Sequence, residues 1–266
     1  MLASERGSRL CDRCGGRGWV VREDGGAGAA EPCECQAANL TPRLVGAAGI
    51  PARYSGCSFE NFKTDLPNRV EREQLLQALT LSRRYVENFV SETGTFIESG
   101  LLYVGRPGVG KTHLAVAVLV ELIRRYRVHG RFVDFTSLIH RIQSTFDPGA
   151  VDTKHGILQE VSTAEVLVLD ELGAQKPSAW VTELLYLVMN ARYTSRRPTI
   201  FTSNLRLDDA AHDRRDLDRG GDPHPEELLS RRLPASLLSR LYEMARPVSI
   251  EASDFRREVK MHRHPV

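Results

Sequence analysis

No apolar stretch in the sequence approaches the roughly 18 residues that a bilayer-spanning helix needs, so a transmembrane anchor is not expected. The opening Met1-Leu2-Ala3-Ser4-Glu5-Arg6 is not built like a signal peptide, and a cytoplasmic protein with no membrane partner is expected. Neither sign of charge dominates. Thirty-six basic against 34 acidic side chains leave a net +2, too little to argue for nucleic-acid binding on charge alone. Cysteine is thinly used, and four of the five fall within the first 35 residues. For a cytosolic chain that clustering favours a metal over disulfides. What remains is ordinary globular material: 41% hydrophobic content can bury a core, and 266 residues hold one large domain or a domain plus a small module.

One stretch organises the rest, Gly105-Arg106-Pro107-Gly108-Val109-Gly110-Lys111-Thr112. It fits G-x-x-x-x-G-K-[ST], the phosphate-binding P-loop. Glycines let the loop curl and aim backbone N–H groups at phosphate oxygens. Lys111 brings an ammonium to the β- and γ-phosphates, and Thr112 offers a hydroxyl to Mg²⁺. The adjoining His113 is counted with the nucleotide-contacting residues, which run from Gly105 to His113. The context is the required one: Leu101-Leu102-Tyr103-Val104 reads as a strand ahead of the loop. Leu114, Ala115, Val118 and Leu122 mark a helix after it.

Downstream, Val166-Leu167-Val168-Leu169 runs straight into Asp170-Glu171, the Walker B pattern of an apolar strand ending in two carboxylates. Charges at a strand tip need a cation or solvent. Asp170 is expected to hold Mg²⁺, and Glu171 to polarise the attacking water as general base. Between these motifs, Arg131 to Phe135 alternates as a strand, with helices expected over Leu138 to Phe146 and Ile157 to Val161. Trp180, Leu184, Val188 and Ala191 mark another helix, led in by Pro177 and Ser178. Pro198 to Asn204 is the next strand, and its polar tip places Asn204 to touch the γ-phosphate or the lytic water. Residues 206–227 mix charges of both signs with Gly and Pro, so a mobile loop is expected. A helix around Leu237 to Leu241 and a last strand, Pro247 to Ile250, follow.

The N-terminal third divides differently. Cys11-x-x-Cys14 followed by Gly15-Gly16 is a knuckle turn that points two thiolates at one tetrahedral Zn²⁺, and Cys33-Glu34-Cys35 supplies a second pair at a less usual spacing. Free thiols or a redox pair are the alternative. Trp19 and Val20-Val21 suit a short strand packed on the metal, which so small a segment needs in order to fold. Residues 1–38 are therefore read as a zinc-binding module. Residues 39–69, punctuated by Pro42, Gly46, Gly49, Pro51, Gly56 and Pro67, are read as a connector with little regular structure. The nucleotide domain spans 70–266 and opens with an amphipathic helix carrying Leu75, Leu79, Val86 and Val90 on one face. Cys57 is read as a small buried hydrophobe.

Assembled, the pieces predict an α/β fold: a P-loop NTPase with a five-stranded parallel sheet between helices and its ligand at the strands' carboxyl ends. On Gly105 to Thr112, Val166 to Gly173, Thr199 to Asn204, Ser239-Arg240-Leu241 and the closing Ser253-Asp254-Phe255-Arg256, the chain resembles AAA+ ATPases of the DnaC/DnaI helicase-loader type. The IstB transposition helper is close kin. The resemblance covers residues 50–260, and the cysteine module is similar to that of the DnaI branch. It implies ATP and Mg²⁺ as ligands, Asn204 as sensor 1, and Arg240 as an arginine finger acting on a neighbouring subunit's ATP in an ATP-bridged oligomer. A full C-terminal lid is not implied, since only about 25 residues follow Arg240. The partners implied are a replicative hexameric DNA helicase and single-stranded DNA, the latter gripped around 134–156, where Arg141 and Lys154 are the basic candidates. A transposition helper and a nucleotide-gated binding module with little turnover are the competing functions. The cysteine module favours the loader, an intact Glu171 disfavours the binding module, and no acceptor-site motif supports a kinase.

Overall fold

The structure, a computed structural model, describes residues 19–22, 29–91, 94–147, 149, 151–175, 178–207 and 228–257. Two strands at the N-terminus, β1 (Trp19–Arg22) and β2 (Ala29–Pro32), pair antiparallel, with Trp19 opposite Pro32. Helix α1 (Glu34–Ala47) follows at once, with Cys33 as its N-cap residue. Then come α2 (Arg69–Glu87), β3 (Gly100–Val104), α3 (Lys111–Tyr126), β4 (Gly130–Asp134), α4 (Phe135–Gln143) and α5 (Lys154–Thr163). The chain continues through β5 (Val166–Asp170), α6 (Ala179–Thr194), β6 (Thr199–Ser203), α7 (Ala235–Met244) and β7 (Ala245–Ser249).

The last five strands form one parallel sheet in the order β4-β5-β6-β3-β7. Strands β3, β5 and β6 are buried along their whole length; β3 from Leu101 and β5 from Val166 accordingly read as apolar runs, whereas β6 buries Thr199, Thr202 and Ser203 among its apolar residues. Their side chains still alternate between two cores. Leu101, Tyr103, Val166, Val168 and Ile200 pack with α1, α2 and α3 on one face. Leu102, Val104, Leu167, Leu169 and Phe201 pack with α4, α5, α6 and α7 on the other. Chain direction accounts for the division. From β3 the chain crosses through α3 to the far edge at β4, then returns through β5 and β6 to β7. A right-handed crossover that reverses direction must lie on the opposite face. The switch falls between β3 and β6, where a doubly wound sheet opens its ligand crevice.

The stretch expected to be a bare connector is instead part of the domain. Helix α1 runs across the expected boundary at residues 38 and 39, with Pro42 inside it. Leu44, Ala48, Phe59, Phe62 and Leu66 are buried in the first core. The Phe132 N–H donates to the Ala48 carbonyl at 2.7 Å, and Arg131 donates to the Ala47 carbonyl at 2.7 Å, so α1 is tied to edge strand β4. Proline and glycine there punctuate a chain whose apolar residues nonetheless find a surface to cover. Cys57 is half-buried against the same core, and burial pushes its thiol pKa up. Helix α2 begins as expected, with the Asn68 side chain accepting from the Val70 N–H at 2.9 Å. It is pinned to β3 through a buried hydroxyl pair, Ser82 and Tyr103. Most of the charged loop, residues 208–227, lies outside the described residues, as do Cys11 and Cys14.

One side chain fastens the second face. Arg192, on α6, is fully buried with its guanidinium surrounded by oxygen. It donates to Thr199 Oγ1 at 2.8 Å, to the Pro198 carbonyl at 2.8 Å, and to the Val161 and Ala164 carbonyls at 3.0 and 2.7 Å. It thereby joins the end of α5 to the start of β6, and places a cation where the helix dipole favours one. Burial, with a smaller contribution from Arg197, pulls its pKa down to about 9, so it remains charged at neutral pH. Arg192→Leu removes the donors and strands those carbonyls. It is expected to cost about 2–4 kcal/mol of unfolding free energy, read as a lower denaturant midpoint. A midpoint equal to the parent's would exclude Arg192 as the clasp.

Candidate active site

The P-loop joins β3 to α3 at the switch point of the sheet. Gly110 caps α3 in the left-handed region at φ 96°, and a Cβ there would meet Phe62 at 2.6 Å. Gly108, at φ 87°, is approached from the other end of the chain: a Cβ would lie 1.9 Å from Asp254 Oδ1. At both positions only glycine fits, for conformational and steric reasons together. Arg106 and Pro107 are exposed at the tip, and Val109 is buried beneath it. The Lys111 ammonium is buried and donates to the Gly105 and Arg106 carbonyls, both at 2.8 Å. Burial lowers its pKa to about 8; Asp170 and Glu171 oppose that shift and Arg256 adds to it.

The second motif meets the first through one oxygen. Thr112 Oγ1 donates to Asp170 Oδ1 at 2.9 Å, and Thr202 Oγ1 donates to the same oxygen at 2.6 Å. Thr202 Oγ1 in turn accepts from the Glu171 N–H at 3.0 Å. Three strand ends, β3 through its loop, β5 and β6, are thus held in one chain of hydrogen bonds. Glu171 itself sits at φ 59°, a left-handed conformation that a non-glycine residue adopts only when its surroundings impose it. That backbone turn ends the strand and projects the carboxylate into solvent beside Asp170.

The electrostatics fit a divalent cation. Burial raises the pKa of Asp170, with Asp134 adding to the shift and the two threonine hydroxyls opposing it. Burial, Asp170 and Asp134 raise that of Glu171, while Lys111 and Arg256 oppose. Asp134 thus discourages ionisation of both Asp170 and Glu171, and Asp170 that of Glu171, so this end of the sheet is short of positive charge. Thr112 and Asp170 present the hard oxygen donors that Mg²⁺ prefers. The raised basicity of Glu171 suits a proton acceptor.

Beside the P-loop lies a largely apolar pocket. Phe62 and Leu66 from the segment before α2 form one wall, His113 and Val109 the floor, and Ala252 and Phe255 from beyond β7 the other wall. His113 is fixed by a 2.8 Å contact between Nε2 and the Ser58 carbonyl and by the edge of the Phe62 ring. The pocket is closed by the chain's last described residues, where the Ser253 hydroxyl donates to Glu71 on α2 at 3.0 Å.

Of the residues expected to act together, Lys111, Thr112, Asp170 and Glu171 are brought together. Asn204 follows β6 directly and is exposed between the P-loop strand and β5, with no hydrogen bond from it among the described residues. Arg240 is elsewhere: its contacts are on α6, where it donates to Asn190 Oδ1 at 2.8 Å and lies over Tyr186. Arg141 is paired with Asp152 at 2.8 Å and Glu160 at 3.0 Å, and Lys154 opens α5. Cys33 is buried at the start of α1. Two residues of the site were not expected from sequence. Thr202 looks like any β-branched strand residue. Arg256, whose charge reaches Lys111 and Glu171, sits in an ending matched only as a motif.

A family model described as IstB-like ATP binding protein matches residues 64–219. The chain belongs to that family. Among relatives, the replicative helicase loader DnaC of Buchnera aphidicola (Schizaphis graminum) is 32% identical over 166 residues, 61% of each chain. That of Escherichia coli K12 is 30% identical over 167 residues, 63% of each. The match thus spans less than two thirds of these loaders. A crystal structure of the DnaC helicase loader aligns with TM-score 0.57 and 33% identity over 75% of this chain and 99% of that one. A DnaI structure aligns at TM-score 0.53 and 24% identity, over 76% and 95%, a likeness of fold. The P-loop AAA+ architecture read from the motifs is the one present.

Thr202→Val keeps the shape of the strand but leaves Asp170 with one hydroxyl donor and the Glu171 N–H unsatisfied. Expected is nucleotide affinity within about threefold of the parent and turnover lower by roughly 10- to 100-fold, as loss of a positioning contact gives. Titration of a fluorescent ATP analogue and a phosphate-release assay separate the two. Parental turnover would remove Thr202 from the machinery.

Proposed function

We propose that the chain is a Mg²⁺-dependent ATPase that loads a replicative hexameric helicase onto single-stranded DNA. The observation that carries the reading is the hydrogen-bonded chain Thr112–Asp170–Thr202–Glu171, which couples the phosphate loop to the acid pair. Kinship with proteins named as replicative helicase loaders supplies the biological setting. Thr112 and Asp170 would hold Mg²⁺, which would supply positive charge against the phosphates. Lys111 exchanges its two loop carbonyls for phosphate oxygens. Glu171 accepts the proton of the attacking water, and Asn204 orients that water from the tip of β6. The base occupies the apolar pocket between Phe62 and Phe255.

Arg240 completes the site from an adjacent subunit. Its resting contacts lie on α6 and none is with its own P-loop, as a residue serving a neighbour requires. Turnover is therefore slow in the isolated chain and rises on assembly, an arginine finger being worth about 10³–10⁵ in rate. Single-stranded DNA binds around 134–156 with Lys154, whereas the Arg141 charge is already shared with two acids. A transposition-helper role is the second reading, favoured by the family description.

Glu171→Gln is expected to retain ATP and lower turnover by about 10²–10⁴. Arg240→Ala and Lys111→Ala, each inactive, are expected to recover part of the assembly-stimulated rate when mixed, since the Lys111→Ala subunit still donates its arginine. Two dead variants that co-assemble without recovery would refute action in trans. Co-elution with the host's replicative helicase, and not with a transposase, is the result expected of a loader.

The N-terminal segment is proposed to hold one structural zinc through Cys11, Cys14, Cys33 and Cys35. Cys33 and Cys35 flank the first residue of α1, where the helix N-terminus favours an anionic thiolate cluster. Metal analysis should find near-stoichiometric zinc, lost in Cys33→Ser; a metal-free protein would exclude it.

A further inference from the structure

The surface shared by α6 and α7 carries an unusual group of side chains. Tyr186, Leu187, Tyr193 and Tyr242 are all exposed, on a domain whose other large apolar residues are mostly covered. Arg240 lies at its centre, half-buried. Its guanidinium carbon stands 4.7 Å from the centroid of the Tyr186 ring and 5.7 Å from that of Tyr193. One terminal nitrogen donates to Asn190 Oδ1 at 2.8 Å. These three holders lie on one face of α6, at spacings of four and three residues.

All three holders are neutral. Among the described residues no ion pair includes Arg240, and its contacts are with two ring faces and one amide oxygen. The nearest acid on its own helix is Glu243, three residues on. One of its oxygens is engaged, because the Tyr193 hydroxyl donates to Glu243 Oε1 at 2.8 Å. Tyr193 therefore does two things at once. Its ring supports the guanidinium, and its hydroxyl keeps the competing carboxylate engaged. A guanidinium held by ring faces and one amide oxygen has a fixed direction, an undiminished charge and unspent donors. One paired with a carboxylate would have to break that bond before reaching a phosphate.

We propose that Tyr186, Asn190 and Tyr193 form a neutral cradle that positions Arg240 for the nucleotide of an adjacent copy of this chain, with Tyr193 also holding Glu243 away from it. The three are positioning residues, and the inference rests on the trans role given to Arg240 above. The exposed tyrosines around the cradle make this face the one that meets the neighbour.

The test converts the cradle from neutral to acidic. Asn190→Asp keeps the shape and places a carboxylate against Arg240, so the link between α6 and α7 is strengthened while the guanidinium is neutralised. In the full chain, with Mg²⁺-ATP, a poly-dT oligonucleotide and rising protein concentration, the assembly-stimulated rate should fall about 10- to 100-fold, with a melting temperature no lower than the parent's. Tyr193→Phe should also lower it, by freeing Glu243, and Tyr193→Phe with Glu243→Gln should restore it; packing alone gives no such rescue. Added to Arg240→Ala, the double variant Asn190→Asp/Lys111→Ala should fail to rescue where Lys111→Ala succeeds, which assigns the defect to the donating subunit. If Arg240→Ala abolishes stimulation while Asn190→Asp turns over like the parent, the cradle is wrong and the trans reading stands. If Arg240→Ala itself keeps the stimulated rate, the trans reading falls and the cradle with it.

Discussion

One carboxylate oxygen holds the active centre together. Asp170 Oδ1 receives two hydroxyls, from Thr112 on the helix that follows the P-loop and from Thr202 on the strand between. Strand order makes this possible: β6 lies between β3 and β5, so a residue of β6 is the natural bridge between the two motif-bearing strands. Thr202 then passes the connection on to the Glu171 backbone. Hydrogen bonds to an ionised acceptor are the stronger kind, and inside a dry sheet edge they fix direction as well as distance. Thr112 and Glu171 are placed relative to one another through this oxygen, while Lys111, next to Thr112, is held by the loop carbonyls of Gly105 and Arg106.

The scaffold was legible where burial is two-sided. Val166 to Leu169 and Leu101 to Val104 are apolar at every position because both faces of their strands are covered, and such runs are hard to mistake for anything else. The P-loop and the acid pair stand out because phosphate and metal chemistry demand those residue types at those spacings. Helix α1 was not legible. Pro42 and Gly46 lie within a helix held by its packing on edge strand β4, and tertiary contacts there override local punctuation. Arg192 was hidden for a related reason. It falls one residue past Ala191 on a helix with a clear apolar stripe, where a charged residue reads as solvated. Nothing in the local sequence says that α5 ends beside it with unsatisfied carbonyls. Thr202 is the same lesson at the active centre: its importance comes from a neighbour in the sheet order, which a linear reading does not contain.

The two ends of the domain meet at the pocket beside the P-loop. The segment before α2 supplies Phe62 and Leu66, the segment after β7 supplies Ala252 and Phe255, and the Ser253–Glu71 bond fastens one to the other. The pocket beside the P-loop is therefore walled by segments from both ends of the domain. The same arrangement ties α1, and whatever the cysteine segment carries, to a wall of that pocket through some twenty intervening residues, 48–68, several of them buried.

The backbone at Glu171 sets stability against activity. Held at φ 59°, it stores strain of about 1–3 kcal/mol that glycine would not incur. Stability alone would thus favour glycine at this strand end, where the proton acceptor proposed above requires a carboxylate. On the role proposed for Glu171, a chain with glycine in this position would hold its ligand without turning it over.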